Sequence, residues 1–237
     1  MNKAICSVSV APVRETPSEK AEMVTQMLFG ESCDILDEQK QWTKIQMHFD
    51  GYEGWINSNQ ISPISDEDFA RRKTGILTKI FEVCDSPDGK ILLSIGSELE
   101  SETQNALNNQ NISETARQFL NVPYLWSGRS FFGIDCSGFV QLVYKVQGIS
   151  LSRDAYQQAE TGTVLAFVEE SEAGDLAFFE NEEGKIVHVG IMLENQEIIH
   201  AFGKVRIDSL DSTGIFNKEL NRHTHKLRFV KRIIGEN

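Results

Sequence analysis

The stretch 135-DCSGFVQLVYKVQG-148 decides how the rest of the chain is read. Asp135 is a helix-capping residue type, Phe139, Val140, Val143 and Val146 fall on one helical stripe, and Gly148 stands where a left-handed residue closes a helix. The segment therefore predicts a helix over 136–147 with Cys136 in its first turn. Unsatisfied N–H groups and the macrodipole at that end favour an anion, which makes the sulfur a candidate nucleophile near neutral pH. The competing reading is a buried structural cysteine, the common fate of a free thiol.

Two histidines downstream tilt the balance toward chemistry. In 185-KIVHVGIML-193 the side chains of His188, Gly190 and Met192 share one strand face, and 198-IIHAF-202 follows a polar Glu194-Asn195-Gln196 turn. A hairpin that pairs Met192 with Gln196 also pairs His188 with His200, which puts their Cβ atoms about 4.5–5.5 Å apart on one face. A slip of one residue would separate them. A helix-start cysteine beside two imidazoles is equipment for acyl transfer. His188 would take the thiol proton and return it to the leaving amine, His200 would hold the other ring nitrogen and fix the tautomer, and the N–H of Cys136 is one oxyanion donor. His223-Thr224-His225 has metal-ligand spacing, but no acidic or cysteine partner stands near it in sequence, so no metal and no cofactor is expected.

Upstream of the decisive helix, Ile112, Ala116, Phe119 and Leu120 repeat at helical spacing, with Asn111 and Glu114 as a capping pair and Pro123 as a stop. A third helix is expected over 153–160. The period then becomes strand-like over 175–179, 187–193, 197–202, 205–208 and 227–234, and helices followed by strands imply α+β. The first 64 residues differ: Val8 and Val10 alternate, 43–49 alternates ahead of the hairpin signal Asp50-Gly51, and short strands at that spacing mean a small β-barrel or sandwich. Between the two, a helix opening at Asp66-Glu67-Asp68, strands over 76–83 and 91–95, and a polar run over 101–111 read as a connecting region with some β structure. The expected domains are 1–64, 65–111 and 112–237.

The 237 residues carry 23 Lys+Arg against 35 Asp+Glu, a formal charge of −12. That field repels phosphates and argues against general binding of nucleic acid or an anionic membrane. No apolar run reaches the roughly 18 residues of a membrane span. Cys6, Cys33, Cys84 and Cys136 have neither zinc-knuckle nor CxxC spacing and need no disulfide framework, which fits a reducing compartment. The N-terminus, with one lysine and a serine-interrupted apolar stretch, reads as a strand rather than a signal peptide. A cytoplasmic location is expected, or a periplasmic or secreted one if a signal segment has been removed.

Two resemblances rest on quoted residues. Val13-Arg14, Thr16-Pro17-Ser18, Val24-Thr25-Gln26, Gly30-Glu31 and the run from Gly51-Tyr52 to Gly54-Trp55-Ile56 together resemble a bacterial SH3-like domain of the cell-wall type. Pro123-Tyr124 with Trp126 and Gly128, Gly133 with Asp135-Cys136-Ser137-Gly138-Phe139, Arg153-Asp154 with Gln157, Gly174-Asp175, His188-Val189-Gly190 and Ile199-His200-Ala201 resemble the NlpC family of papain-like cysteine peptidases, which cut cell-wall peptides. An SH3-like domain ahead of that peptidase is similar to the γ-D-glutamyl-L-diamino-acid endopeptidases of the dipeptidyl-peptidase VI type. The implied fold is α+β, an SH3-like β-barrel followed by a papain-like domain with helices packed on an antiparallel sheet.

The resemblance also implies roles. Cys136, His188 and His200 match the catalytic triad, and Tyr124 a tyrosine beside the nucleophile that serves as a second oxyanion donor. Asp135, Ser137 and Asp154 match positions that hold the L-Ala-γ-D-Glu part of a murein peptide, and Glu22 and Tyr52 resemble residues that close the pocket around its free L-alanine amine. Read by their own chemistry, Glu22 is a solvated turn charge and Tyr52 a hairpin aromatic. Ala155 departs from the pattern, since relatives often carry Ser there. The implied activity is cleavage of the γ-D-glutamyl to diamino-acid bond with release of L-Ala-γ-D-Glu, in peptide recycling. A general wall hydrolase, an amidase or an acyltransferase would use the same cysteine and histidines, whereas a wall-binding protein has no need of them together.

Overall fold

The computed structural model describes residues 2–101 and 111–233. Most of the expected polar run and the end of the last expected strand lie outside the described residues. The N-terminal part is an SH3-like antiparallel sheet in the order Met23–Leu28, Val10–Arg14, Glu53–Asn57, Trp42–Met47, Ser32–Gln39, Lys3–Cys6, Ile61–Ile64. Its alternating strands turn Val13, Ile45, Met47 and Ile56 into one core with Ala4, Met27 and Cys33. Gly51 takes the positive φ of 73° that the expected hairpin turn requires.

In the connecting region Ser65 caps the helix Asp66–Arg71, its hydroxyl accepting the Asp68 N–H. Two hairpins follow, Phe81–Ser86 with Gly89–Ser94 and Thr74–Ile76 with Glu98–Glu100. The single strand expected over 76–83 is therefore broken. The Leu77 N–H turns to Ser97 O and the Ile80 N–H to Gln118 Oε1, outside any ladder.

Asn111 and Glu114 form the expected reciprocal capping box, on a helix that ends at Arg117. The decisive helix spans Cys136–Val146, capped by Asp135 Oδ1 on the Gly138 N–H at 2.7 Å and followed by Gly148 at φ 76°. Phe139, Val140 and Val143 join one core with Val189, Ile191 and Ile199. The opposite face, which carries Gln141 and Lys145, is buried as well, because the barrel and the connecting hairpins cover it. Lys145 Nζ donates to Glu31 Oε1 at 2.6 Å and Glu98 Oε1 at 3.1 Å, and Gln141 Nε2 to Asp50 Oδ2 at 2.9 Å. The helix expected over 153–160 contracts to Ala155–Gln158, since Arg153 is drawn off to Asp135 and Asp154 takes the cap position.

Leu176–Glu180, Ile186–Met192, Glu197–Phe202, Lys204–Leu210, Gly214–Asn217 and Arg222–Arg232 form an antiparallel sheet in that order, with Thr163–Val164 added outside the last strand. Arg222–Arg232 pairs with both Leu176–Glu180 and Gly214–Asn217, so the six strands close on themselves. That strand begins well before the expected 227 and carries His225 into the sheet. The register of the histidine hairpin also differs from the expected one: Met192 pairs with Ile198, not Gln196. The turn is closed instead by the Leu193 N–H on Glu197 O at 2.8 Å, with Asn195 and Gln196 at φ 59° and 56°. A shift by an even number keeps each side chain on its face, so His188 and His200 remain together but lie diagonally. No helix among the described residues is long and apolar enough to cross a membrane.

Candidate active site

Cys136 enters the site from the helix start, and the two histidines from neighbouring strands beneath it. His188 Nε2 lies 2.8 Å from His200 Nδ1, and His200 Nε2 lies 3.2 Å from Asp208 Oδ2. Gly190 makes the diagonal reach possible, because a Cβ there would stand 2.9 Å from His200 Cβ. Asp208, buried, also accepts from Arg206 Nε at 2.8 Å and Asn217 Nδ2 at 3.2 Å. Burial pushes the Asp208 carboxyl up, but the hydrogen bonds from His200 and Arg206 outweigh it and hold the group below its ordinary range.

An ionised Asp208 only accepts, so His200 Nε2 carries its ring proton and His200 Nδ1 offers a lone pair. His188 Nε2–H must then donate to it. The lone pair left for a thiol proton is on His188 Nδ1.

Burial holds His188 well below the usual imidazole value, with His200 and His225 adding to the effect. Burial likewise pushes the Cys136 thiol up to about 12, aided by Asp135 and opposed by backbone contacts to Val189 and Ser137. Burial therefore favours a neutral thiol and a neutral imidazole, against the thiolate expected from the helix end.

A cleft of about 390 Å³ opens over Cys136, lined by Tyr124, Trp126, Asp135, Ser137, Asp154 and Tyr156 among others. Tyr124, which lines the cleft with Cys136, is raised to about 12 by burial and then by Cys136. Asp135 and Ser137 are held from behind by Arg153, which reaches Asp135 Oδ2 at 2.7 Å and Ser137 Oγ at 3.0 Å. Burial raises the Asp154 carboxyl, partly countered by Arg153. The barrel residues arrive as well. Glu22, exposed, accepts the Trp126 Nε1–H at 2.9 Å, and Tyr52 is pushed up to about 12 by burial and by Asp154. Tyr52 lines an adjoining groove with Trp55, Ser152 and Gln157 rather than the Cys136 cleft itself. Ala155, buried, stands in the cleft wall.

The sequence reading missed Asp208, Arg153 as the clamp behind Asp135, and His225. Aspartate is a poor strand residue, so Asp208 amid 204–210 was a usable signal. His223 and His225 do not converge as a pair. A β-bulge falls between their partners Phe216 and Ile215, sending His223 to Asp211 at 2.9 Å and the His225 ring onto His188 at 4.2 Å between centroids.

A thiol at the start of a buried helix, packed beside the strand that carries the first of two hydrogen-bonded histidines on a closed antiparallel sheet, defines a papain-like cysteine hydrolase. Residues 121–224 match the NlpC/P60 family, and residues 13–61 match the bacterial dipeptidyl-peptidase Sh3 domain. The chain is 32% identical over 235 residues to a γ-D-glutamyl-L-lysine dipeptidyl-peptidase of Bacillus subtilis, covering 83% of this chain and 78% of that protein. A like-named protein of Bacillus cereus is 28% identical over 227 residues, covering 76% and 67%. The crystal structure of an NlpC/P60 family protein from Bacillus cereus shares the fold, with a TM-score of 0.82 at 20% identity over 98% of this chain and all of that one. The chain belongs to the NlpC/P60 family and is a cysteine peptidase carrying an N-terminal SH3-like domain.

Proposed function

We propose that this peptidase hydrolyses the γ-D-glutamyl to diamino-acid bond of murein peptides with a free N-terminal L-alanine, releasing L-Ala-γ-D-Glu. The observation that carries the reading is the contact of Glu22 with Trp126, which brings a carboxylate of the barrel to the rim of a cleft that already contains Asp154. An acidic, walled end suits a protonated amine rather than a continuing chain. The relatives named for γ-D-glutamyl-L-lysine cleavage support the same choice.

In the proposed mechanism Cys136 Sγ attacks the γ-carbonyl as its proton passes to His188 Nδ1. The oxyanion is met by the Cys136 N–H and the Tyr124 hydroxyl. His188 then gives the proton to the leaving amine, and water, deprotonated by His188, hydrolyses the thioester. Asp135, Ser137 and Asp154 hold the L-Ala-γ-D-Glu part, with Glu22 at its rim and Tyr52 in the adjoining groove beside Asp154. The four free thiols agree with a cytoplasmic place of work, on peptides released from the wall.

The test compares kcat/KM for L-Ala-γ-D-Glu-diamino acid with and without an N-acetyl group. Acetylation leaves the acidic end without its cation and adds bulk there, so a drop of about tenfold or more is expected. Similar values for both substrates would mean an open cleft and a general wall hydrolase.

A further inference from the structure

We propose that His188, His200 and His225 form a three-nitrogen site for a borderline transition-metal cation of the Zn²⁺ class, and that filling it switches the peptidase off. The coordinating nitrogens of the three rings lie within 4.8 Å of one another. His188 and His225 stack nearly parallel at 26°, and His200 stands across both at 86° and 85°, so two rings run side by side and the third meets them edge-on. Zinc binds imidazole nitrogen in the ring plane at about 2.0–2.1 Å in an open tetrahedral set, so seating an ion requires the His225 ring to turn out of its stack on His188 until the two lone pairs converge.

The outer nitrogens of His200 and His225 are already arranged as those of metal-bound histidines are, each spent on an oxygen behind the ring. His200 Nε2 faces Asp208 at 3.2 Å, and His225 Nδ1 faces Thr224 Oγ1 at 2.9 Å, leaving His200 Nδ1 and His225 Nε2 as lone pairs. The third ligand is His188 Nε2, which in the resting enzyme donates to His200. A cation there breaks that hydrogen bond and forces the single ring proton of His188 onto Nδ1, the nitrogen the proposed mechanism needs bare. Inhibition follows from the tautomer alone and leaves the thiol untouched. The switching half of this proposal rests on the assignment of His188 as base; the binding half does not.

Binding is measured on the full chain with Cys136→Ser, which removes the thiol as a rival ligand, by titrating Zn²⁺ against a chromophoric chelator. One ion per chain is expected, with at least thirtyfold weaker binding in Cys136→Ser/His225→Phe and unchanged binding in Cys136→Ser/His223→Phe. His225→Gln serves in place of His225→Phe if thermal melting shows the latter unfolded. No competition with the chelator by Cys136→Ser, or equal binding with and without His225, would overturn the site. In chains with Cys136 intact, chelator-reversible Zn²⁺ inhibition should move to at least thirtyfold higher concentration in the His225 variant, relative to its own uninhibited rate. Unshifted inhibition beside lost binding would overturn the switch.

Discussion

The seam between barrel and peptidase and the relay beneath Cys136 both bury ionised groups, yet they finish differently. At the seam Glu31 receives Arg129 Nη1 and Nη2 at 2.8 Å each and Lys145 Nζ at 2.6 Å, and its Oε2 also takes the Leu28 N–H at 2.8 Å. Both oxygens are used and nothing is left to react. The relay runs from Asp208 through His200 to His188 and stops at a nitrogen with an open lone pair. A closed network fixes the position of a helix; an unfinished one holds a reactive group in a single protonation state. The Cys136–Val146 helix belongs to both, with Cys136 at one end and Lys145 at the other.

Removing the open end should have the largest effect. His188→Ala is expected to lower kcat by about 10²–10⁴, the range of a general base, while the melting temperature stays close to that of the parent. Rates measured beside thermal melts check this. Near-parental kcat in the folded variant would refute the mechanism.

Breaking the closed network should show the reverse. Glu31→Gln leaves Arg129 buried without its anion and Lys145 with Glu98 alone, a cost of about 3–5 kcal/mol, with kcat little changed wherever the protein is folded. The same group has a pH signature. Burial works against the Glu31 carboxylate, but Arg129 and Lys145 overcome it and hold its pKa at about 2, against about 4.5 unpaired. Its folded pKa is depressed, so its contribution is present above about 4.5 and is lost as pH falls toward 2. Urea midpoints between pH 6 and 3 should therefore fall more steeply in the parent than in Glu31→Gln. Parallel curves would assign acid sensitivity to other groups.

The comparison also explains what could be read from the sequence. Cys136, His188 and His200 were legible because each sits in a local pattern, a capped helix or an alternating strand, and because strand parity survives a register shift of two. The seam was not legible. Glu31 and Lys145 are far apart in sequence, and on its own the face bearing Gln141 and Lys145 reads as a solvated one, so only the docking of the barrel identifies it as buried. His225 was obscured by a bulge, which breaks the spacing rule by which a His-Thr-His pair is read. The short strand Gly214–Asn217 offered too few residues for any period to register.

Asp208 tests whether the relay extends beyond the triad. In Asp208→Asn the new amide can donate to His200 Nε2, which moves the His200 proton to Nδ1 and turns the His188 ring to the wrong tautomer. Acting through two rings, the change should lower kcat by about tenfold to a hundredfold with KM nearly constant. Asp208→Glu should recover part of the rate if the carboxylate is what matters. An unchanged kcat in Asp208→Asn would end the relay at His200.

The smallest effect concerns the thiol itself, and it decides between the two accounts of Cys136. A helix start predicts a thiolate at neutral pH, whereas burial of the folded site holds the thiol at about 12. A raised pKa means that the reactive anion appears only as pH climbs, so alkylation of Cys136 by iodoacetamide should rise about tenfold per unit from pH 6 to 9 without levelling. Cys6 and Cys33, also raised to about 12 by burial, lie in the barrel core and should label last. Cys84, half-buried on the hairpin Phe81–Ser86, should label before Cys136 at pH 7. Peptide mapping of the four sites across that range gives the order. If Cys136 is modified first and its rate is flat between pH 6 and 8, the sulfur and His188 rest as an ion pair. The helix end would then outweigh desolvation, and attack would begin from a thiolate already formed rather than from a proton transferred as the bond is made.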